Sequence, residues 1–369
     1  MTNIGDALFK ATGATTGLTH AERAGYIVNV KDYGAVGNGI ANDTAAVQAA
    51  SDVAFGSSSS PHGSANKHLN RPLYFPTGTY NIHSTIIWTK VCGGRAFGDA
   101  AGASTLSWGG SVSGFTPLVQ TNGFANCVVE NLGFAAPVYT PDSCGFDLDW
   151  NGDDTNCDGL RNNLFSKCMM SGGIGILVAK SDNDGASNLF LGVEITGHAA
   201  EPPAAVSGLE LRGSEALGNT VILGGANLFA NAGYYAPAGG GSFGAIIGVS
   251  QAQRPDDGSP PPYVPVGSCW DFRIDSPYPC MISGVRSESY NCLRMAAGEV
   301  RLGNTVMVVA ETLVFANVTG GKCTIDGCRS LGAVITGATS TIYLRGNSLS
   351  ETDPSALLTG YTGTIGQNI

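Results

Sequence analysis

The densest run of side chains capable of catalysis or metal binding is Phe146-Asp-Leu-Asp-Trp-Asn-Gly-Asp-Asp-Thr-Asn-Cys-Asp158. Its ligand-type residues fall at the spacing of a calcium-binding loop, with Asp at the last position where Glu is usual. These residues are Asp147, Asp149, Asn151, Asp153 and Asp158. Calcium prefers hard oxygen ligands of this kind, so the run predicts a Ca²⁺ site. No helices are predicted beside it, and a calcium site of the usual helix–loop–helix type has them.

The same run also has the alternation of a strand, because Phe146, Leu148 and Trp150 alternate with Asp147 and Asp149. Side chains two apart on a strand share one face and lie roughly 6.5–7 Å apart. Inverting glycosidases hold their two carboxyl groups roughly 6.5–9.5 Å apart, with a water between them. Asp147 and Asp149 are therefore a candidate acid and base. A plain strand with solvated Asp side chains is the simpler alternative.

A second acidic group lies in Trp270-Asp-Phe-Arg-Ile-Asp275 and Val285-Arg-Ser-Glu-Ser289. Alternation places Asp271 and Asp275 on one outward strand face, and Glu288 follows about one repeat later. Neighbouring strands are ~4.8 Å apart, so carboxylates on adjacent strands can pair as catalytic groups. Surface ion pairs with Arg273 and Arg286 are the alternative interpretation, and such pairs contribute little.

Aromatic side chains near these carboxylates predict where a sugar would stack. The candidate substrate-binding residues are Trp150, Tyr234, Tyr235 and Tyr263. The three tyrosines lie in a Gly- and Pro-rich stretch, 234–268, that interrupts the strand pattern, as does 197–206. In repetitive folds such insertions lie on one face and often build the binding site.

Composition indicates how these groups are positioned. The chain has 369 residues, of which 53 are Gly and only 13% are charged. Many Gly, Ser, Thr and Asn residues favour short strands joined by many turns. The net charge of −10 argues against a nucleic-acid partner, which requires clustered Lys and Arg. It leaves neutral glycans, or acidic glycans met through a bound cation, as ligands.

The ten cysteines have no metal-binding spacing, and several lie within apolar strand-like stretches, so we expect buried thiols. No apolar run approaches the ~18 residues of a membrane helix, so we expect no membrane insertion. The chain begins with Met1 and has no basic, then apolar, leader. We therefore expect folding in the cytoplasm of a host cell.

Two segments near the start define a pattern of their own. The first is Val28-Asn-Val-Lys-Asp-Tyr-Gly-Ala-Val-Gly-Asn-Gly-Ile-Ala-Asn-Asp-Thr44, and residues 45–54 then predict a helix with Asn42-Asp43-Thr44 as its N-cap. The second is Arg71-Pro-Leu-Tyr-Phe-Pro-Thr-Gly-Thr-Tyr-Asn-Ile82, two short strands around a Pro/Gly turn.

Together these segments resemble the opening of the pectate-lyase-like superfamily, which includes phage tailspikes and polysaccharide depolymerases. The resemblance implies an all-β chain folded as a single-stranded right-handed parallel β-helix with a short N-terminal helical cap. The catalytic signatures of the polygalacturonase-like members, such as Gly-His-Gly and Arg-Ile-Lys, are absent from this sequence. The resemblance therefore implies the fold and assigns no catalytic residue.

The predicted organisation has three parts. Residues 1–27, with a short helix over Ile4–Lys10 and a capping box from Thr19 to Glu22, form an attachment or cap segment. Residues 28–95 begin the β-helix, and residues 96–369 form its body, with the two insertions named above. Leu217-Gly-Asn-Thr-Val-Ile222 recurs as Leu302-Gly-Asn-Thr-Val-Met307, which suggests equivalent positions about four rungs apart.

Three functions fit this sequence. The first is a homotrimeric tailspike-like protein of a phage virion, which docks on other virion proteins through residues 1–27 and binds a bacterial surface polysaccharide, with its depolymerisation by hydrolysis or elimination left open. The second is a receptor-binding or decoration protein of the virion with the same fold and no catalysis. The third is a free bacterial polysaccharide hydrolase or lyase. No organic cofactor is required by any of them.

Overall fold

The computed structural model of the protein describes residues 8–9, 18–19, 22, 25–136, 143–150, 159–179, 185–197, 206–252, 269–289, 291–307, 314–330, 334–338, 340–349, 358 and 361–366. Within these ranges the chain is a parallel β-helix, as predicted. Each rung passes through a 23-stranded sheet and then through a 10-stranded sheet. The 23-stranded sheet consists of two columns of parallel strands, named here sheets 1 and 2, and the 10-stranded sheet is named sheet 3. None of the helices in these ranges is long and apolar enough to cross a membrane.

The strands of the three sheets have the following bounds. Sheet 1 contains Val28–Asn29, Leu73–Phe75, Arg95–Gly98, Val128–Glu130, Leu164–Ser166, Phe243–Ile247, Cys280–Ser283, Glu299–Gly303, Lys322–Asp326, Thr341–Arg345 and Thr364–Gly366. Sheet 2 contains Asn38–Asn42, Gly78–Ile82, Ser104–Trp108, Gly133–Ala135, Met169–Ser171, Ser250–Ala252, Arg286–Ser287, Val306–Met307, Arg329–Ser330 and Ser348–Leu349. Leu189–Thr196 and Asn219–Asn227 run through both sheets. Sheet 3 contains Ile86–Cys92, Thr116–Ala125, Ser143–Leu148, Ile174–Val178, Ser207–Leu211, Ala232–Ala236, Trp270–Ile274, Asn291–Met295, Val314–Val318 and Val334–Thr336.

Short elements complete the described chain. The helix α1, Thr44–Phe55, caps the first rung, and the 3-10 turns Val30–Tyr33 and Lys67–Leu69 flank it. Gly56–Ser57 pairs with Ser60–Pro61 in a small hairpin. Gln48 of α1 pairs with the edge strand of sheet 3, because its side chain donates to Ile87 O (3.0 Å) and accepts from Ile87 N (2.9 Å). This covers an edge that would otherwise recruit another strand.

The predicted N-cap is built differently from the expected one. The Asp43 carboxylate accepts the backbone N–H groups of Val36 (2.6 Å) and Gly37 (3.1 Å) and does not cap α1. Asn42 accepts from Thr44 N (3.1 Å) instead. Asp43 thus fixes the glycine turn of the opening segment to the start of the helix.

The N-terminal segment is only partly as predicted. Leu8–Phe9 pairs antiparallel with Leu18–Thr19, so the helix predicted over Ile4–Lys10 is wrong at these residues. The capping box is confirmed: Thr19 N donates to Glu22 Oε2 (2.6 Å), and Glu22 N donates to Thr19 Oγ1 (3.0 Å).

The core is made of side chains stacked from rung to rung. In sheet 3 one inward column follows the strand register through Ile86, Val119, Phe146, Ile176, Leu209, Tyr234, Phe272 and Leu293. Phe146 meets Trp88 and Phe165 edge to face, at ring-centroid distances of 5.7 and 5.0 Å. Such contacts stabilise a pair by ~0.5–1.5 kcal/mol beyond the burial of its area.

Tyr234 belongs to this column and not to a binding loop. Its side chain is 1% exposed, and its ring stacks on Phe272 at 5.8 Å. The predicted sugar-binding role of Tyr234 is therefore wrong in this structure, and the insertion predicted to start at 234 is also wrong there. Residues 232–252 form a regular part of the solenoid, while 253–268, with Tyr263, lie outside the described residues.

The turn from sheet 1 to sheet 2 places one residue in the left-handed region in successive rungs. These residues include Asn131, Lys167, Gly284, Asn304 and Gly327. Glycine and asparagine tolerate this conformation best. The repeated sequences at 217–222 and 302–307 do not occupy equivalent positions in the rung, so that prediction is wrong. Asn304 lies in this turn, whereas Asn219 begins a strand.

The turn from sheet 3 to sheet 1 is held by a ladder of buried asparagines. Asn163 Nδ2 donates to Asn188 Oδ1 (2.9 Å), and Asn188 Nδ2 donates to Asn219 Oδ1 (2.9 Å). Asn188 Nδ2 also donates to Gly185 O (2.8 Å). The ladder satisfies backbone and side-chain polar groups that cannot reach water at these turns.

The cysteine prediction is confirmed for eight thiols, which are free and buried: Cys127, Cys144, Cys168, Cys269, Cys280, Cys292, Cys323 and Cys328. Burial raises the pKa of Cys127 to about 12, so it remains a protonated, unreactive thiol. Cys92 is disulfide-bonded.

Candidate functional site

The outer face of sheet 3 carries a row of polar and charged side chains in register. One line of side chains, named here the outer row, crosses eight successive strands. It comprises Gln120, Asp147, Leu177, Glu210, Tyr235, Arg273, Arg294 and Asn317. Parallel pairing sets successive members ~4.8 Å apart along the solenoid axis. A chain-like ligand lying along this axis would meet the members one after another.

The N-terminal half of the outer row is closed. Asp147 is completely buried, and its Oδ2 accepts a hydrogen bond from Gln120 Nε2 (2.8 Å). Leu177, the next member, is also buried and packs with Ile174 under Phe115. Asp147 therefore lies on the predicted outward face but is not open to a ligand in this structure.

The other members of the predicted acidic run contribute little to an open site. Asp149 is half-buried, and its backbone N–H donates to Thr121 Oγ1 (3.1 Å). Trp150 packs into the hydrophobic core, so its ring is not offered to a sugar. Asn151, Asp153 and Asp158 lie outside the described residues. Among the residues that are described, no three His, Cys, Asp or Glu side chains group around a point suited to a metal.

The C-terminal half of the outer row, named here the open site, is charged; its arginines, Tyr235 and Asn317 are partly exposed, and its two carboxylates are mostly buried. Glu210, 4% exposed, pairs with Arg212, whose Nη2 and Nε lie 2.8 and 3.0 Å from Glu210 Oε1. The Arg273 guanidinium lies over the Tyr235 ring, 4.7 Å from its centroid. Such a cation–π contact contributes ~0.5–1 kcal/mol at an exposed site.

Asp275 links the last two arginines. It is 7% exposed, and its Oδ2 lies 2.7 Å from Arg273 Nε. Its Oδ1 lies 3.9 Å from Arg294 Nε. Arg273 Nη1 also donates to Asn231 Oδ1 (2.7 Å). Arg273 is therefore held at three points, whereas Arg294 is held only by the longer ion pair.

Tyr235 lies between the two carboxylates. Burial raises the pKa of its phenol, the Arg273 charge opposes the rise, and Asp275 and Glu210 reinforce it. Glu210 and Asp275 lie two rungs apart, one on each side of Tyr235. Two rungs correspond to ~9.5 Å along the axis, and Asp275 also stands two residues beyond Arg273, the register partner of Tyr235, a further ~6.5–7 Å along the strand.

The three carboxylates of the second predicted acidic group, Asp271, Asp275 and Glu288, lie in three different environments. Asp275 lies at the open site, but Asp271 lies inside the solenoid, where it accepts a hydrogen bond from the buried Ser289. Burial raises the pKa of Asp271 to about 7. Glu288 follows a sheet 2 strand and forms an ion pair with Arg286. The predicted pairing of Asp271 with Asp275 and Glu288 is therefore wrong.

Asp271 faces inward because the sheet 3 strands depart from strict alternation. Opposite it in preceding rungs stand Gly208, Gly175 and Gly145. A Cβ on Gly208 would meet Ala226 Cβ at 2.8 Å, which shows that this position points into the core. Leu209, the next residue, also faces the core.

Glu210 and Arg294, the main partners at the open site, are not among the residues predicted from the sequence. A signal was present in Glu210-Leu-Arg212 and Arg273-Ile-Asp275, where opposite charges stand two apart on a strand. Side chains at that spacing share a face and can pair. Tyr235, predicted to stack on a sugar, belongs to the site, although one face of its ring contacts Arg273.

Comparison with known proteins relates this fold to others. Residues 27–201 match the family model described as Rhamnogalacturonase A/epimerase, pectate lyase-like. None of the curated proteins compared with the chain matches it.

The solved structures similar to the protein include three viral proteins. Bacteriophage CBA120 tailspike protein 2, as its enzymatically active domain, shares 14% identity at a TM-score of 0.57, over 100% of this chain and 49% of that one. The full-length tailspike protein 2, from an Escherichia coli O157:H7 bacteriophage, gives the same identity and TM-score, over 44% of its length. ORF18 of Geobacillus virus E2 shares 15% identity at a TM-score of 0.51, over 94% of this chain and 61% of that one. The chain thus spans about half the length of these proteins.

Proposed function

We propose that the chain, a parallel β-helix of which residues 27–201 match a pectate lyase-like family model, is a tailspike-like protein of a phage virion that binds a host-cell surface polysaccharide along the outer row and depolymerises it. The observation that carries this proposal is the placement of Glu210 and Asp275 on either side of the partly exposed Tyr235 on the outer face of sheet 3. The fold shared with a phage tailspike protein supports it, although identity is low.

The proposed reaction is glycoside hydrolysis. In that chemistry one carboxyl group protonates the leaving oxygen, and the other accepts a proton from the attacking water. Glu210 and Asp275 supply the two carboxyl groups. Arg212 and Arg273 orient them through the ion pairs described above. Asp147, the earlier candidate, is too deeply buried to touch a substrate without rearrangement.

The experiment is digestion of capsule and O-antigen preparations from the host. Hydrolysis creates reducing ends, whereas a lyase product would also absorb in the ultraviolet. We expect Glu210→Gln and Asp275→Asn each to lower the rate at least about 100-fold, because acid–base groups contribute factors of this size. Glu288→Gln is the matched control, since Glu288 also pairs with an arginine but lies beside sheet 2. Unchanged activity in both site variants would refute this assignment.

A non-enzymatic receptor-binding or decoration protein of the virion is the second candidate. The observation that favours it is that both carboxylates at the open site are already ion-paired with arginines. It predicts saturable binding of the same polysaccharide with no oligosaccharide released by the wild-type protein.

Assembly and metal binding extend the proposal. We propose a homotrimer attached to other virion proteins through residues 1–27, and light scattering after size exclusion would test the trimer. We also retain Ca²⁺ at Asp147, Asp149, Asn151, Asp153 and Asp158 as a proposal. A bound ion held only by the folded chain must raise its melting temperature, so calcium titration of melting tests the site.

A further inference from the structure

We propose that copies of this chain associate through the outer face of sheet 1, with the sheet 1 faces of the copies packed against one another. The inference rests on the homotrimer of the proposed function and adds the surface that forms it. This surface, named here the apolar face, consists of two columns of outward side chains across six successive rungs. Its members are Val128, Leu164, Leu189, Thr220, Ala245 and Met281 in one column, and Leu191, Ile222 and Ile247 in the other.

The burial of neighbouring residues shows that these side chains point outward. In each strand a buried residue stands between two partly exposed ones, as Phe190 does between Leu189 and Leu191. Met281, at one end of the apolar face, is 41% exposed. A strand with one face in the core and one in water normally alternates apolar and polar residues. Eight of the nine members are apolar at positions where this alternation predicts polar side chains.

Charged side chains lie at both ends of the apolar face and not within it. In the two columns of the described strands, no Asp, Glu, Lys or Arg stands between Glu130 and Arg301. Glu130 forms an ion pair with Arg95, and Arg301 lies 3.8 Å from Asp326. Each of these end charges has an opposite charge beside it in its own chain, so the face does not favour a charged partner. An apolar centre with a polar rim is the usual anatomy of a protein interface.

The chemistry of the apolar face favours a protein over a sugar or a membrane. Its nine members offer a single hydroxyl group, that of Thr220, and no aromatic ring on which a sugar could stack. Faces that lie on a membrane combine apolar side chains with Lys or Arg, and these are absent here. A second copy supplies a matching surface, because its rungs repeat at the same ~4.8 Å step and its face is equally apolar.

The size of the apolar face fits the centre of such a contact. It extends over five rung steps, ~24 Å along the axis, and its two columns with their side chains are about 15 Å wide. The patch therefore measures about 400 Å², a size that is often functional on a protein surface. A stable interface buries about 800 Å² on each partner, so the patch supplies about half of it. The ion-paired residues at its ends would add to the rim.

The test is the mass of the full chain in solution, measured by sedimentation over a range of protein concentrations without polysaccharide. Ile222→Lys places a charge within the apolar face, where it reaches water in a single chain and is buried unpaired in the assembly. We expect the dissociation constant to rise about 100-fold or more, because an uncompensated buried charge disrupts an interface. Met281→Lys changes a side chain that is already 41% exposed, and it serves as a second variant if Ile222→Lys folds poorly.

Ile87→Lys is the matched control. Ile87 is also an outward isoleucine of a parallel strand, 42% exposed, but it lies on sheet 3. This variant should associate like the wild type.

Cross-linking of Thr220→Cys tests whether the sheet 1 faces meet each other. Thr220 lies near the middle of its column, so faces that meet bring the new thiols of two copies together whichever way the chains run. The eight free thiols of the described chain are buried and should not compete. A short bis-maleimide should link Thr220→Cys into covalent dimers, and it should not link Thr196→Cys, on the outer face of sheet 2.

Three results would overturn the inference. An oligomer that both lysine variants leave intact, or that Thr220→Cys does not cross-link, would remove sheet 1 as the contact while the trimer stands. A wild type that is monomeric at every concentration would overturn the trimer and this inference together. All three are measured without polysaccharide, so failure of glycan binding or cleavage is a separate outcome.

Discussion

The buried carboxyl of Asp271 gives a stability prediction of defined sign. It lies fully inside the solenoid, and burial raises its pKa from 3.8 to about 7, while Ser287 and Ser289 oppose the rise. Asp271→Asn keeps the shape and an acceptor for the Ser289 hydroxyl, and it removes the ionisation. We therefore expect the variant to be more stable than the wild type at neutral and alkaline pH.

The magnitude follows from the size of the pKa shift. Between about pH 4 and pH 7 the folded wild type holds a proton that the unfolded chain has lost, so its stability falls as the pH rises through this window. A shift of about 3 units at ~1.4 kcal/mol per unit amounts to about 4 kcal/mol. Below pH 4 the full stabilisation is present, and above about pH 7 the stability no longer changes through this group. The stability difference between variant and wild type should therefore grow by about 4 kcal/mol from pH 4 to pH 8.

The assay is urea unfolding of both proteins at several pH values, with thermal melting as a second readout. Asp99→Asn is the control, because hydrogen bonds from Tyr74 and Thr77 lower the pKa of the exposed Asp99. Its contribution has the opposite sign, present at neutral pH and lost as the pH falls. A difference for Asp271→Asn that is constant from pH 4 to pH 8 would refute the reasoning.

Two further predictions concern the turns. Asn188→Ala should lower the free energy of unfolding by about 3 kcal/mol or more, because it leaves buried partners in Asn163 and Asn219 unsatisfied. The control Asn227→Ala, on the outer face of sheet 2, should leave the stability nearly unchanged. Equal urea midpoints for the two variants would contradict the stabilising role of the asparagine ladder. Gly284→Ala should lower the free energy of unfolding by about 1–2 kcal/mol, because φ is +69° at Gly284. The control Gly303→Ala should not, because Gly303 has an ordinary φ and a Cβ there would lie 3.7 Å from Ser283 Oγ. Coinciding unfolding curves for the two variants would argue against backbone strain at Gly284.

The opening of the fold was predictable because its signals are local. The turn glycines after Tyr33, the helix at Thr44–Phe55 and the strands around Pro76 depend on short-range backbone preferences. Residue types there agree with the structure that forms. The same holds for the capping box of Thr19 and Glu22, where two side chains satisfy each other's backbone within one turn.

The candidate site was harder to predict because it depends on register across distant strands. Glu210 meets Tyr235 and then Arg273 only because three strands stack with particular turn lengths between them. The alternation of inward and outward side chains also fails at Asp271, because Asp271 and its neighbour Phe272 both face the core. Tyr234 and Tyr235 look equivalent in sequence, yet one is in the core and the other at the site.

The central claim is that the outer row of sheet 3 binds the polysaccharide, and a matched tyrosine pair tests it most directly. Tyr235 lies under Arg273 on sheet 3, and Tyr343 lies under Lys322 on the outer face of sheet 1, at 4.7 and 5.4 Å from the respective cations. The measurement is the affinity of Tyr235→Ala and Tyr343→Ala for polysaccharide from the host surface. We predict a loss of about tenfold or more for Tyr235→Ala, since removing an aromatic contact of ~1.4 kcal/mol has that effect, and wild-type affinity for Tyr343→Ala. Wild-type affinity in Tyr235→Ala, or an equal loss in both variants, would contradict the claim.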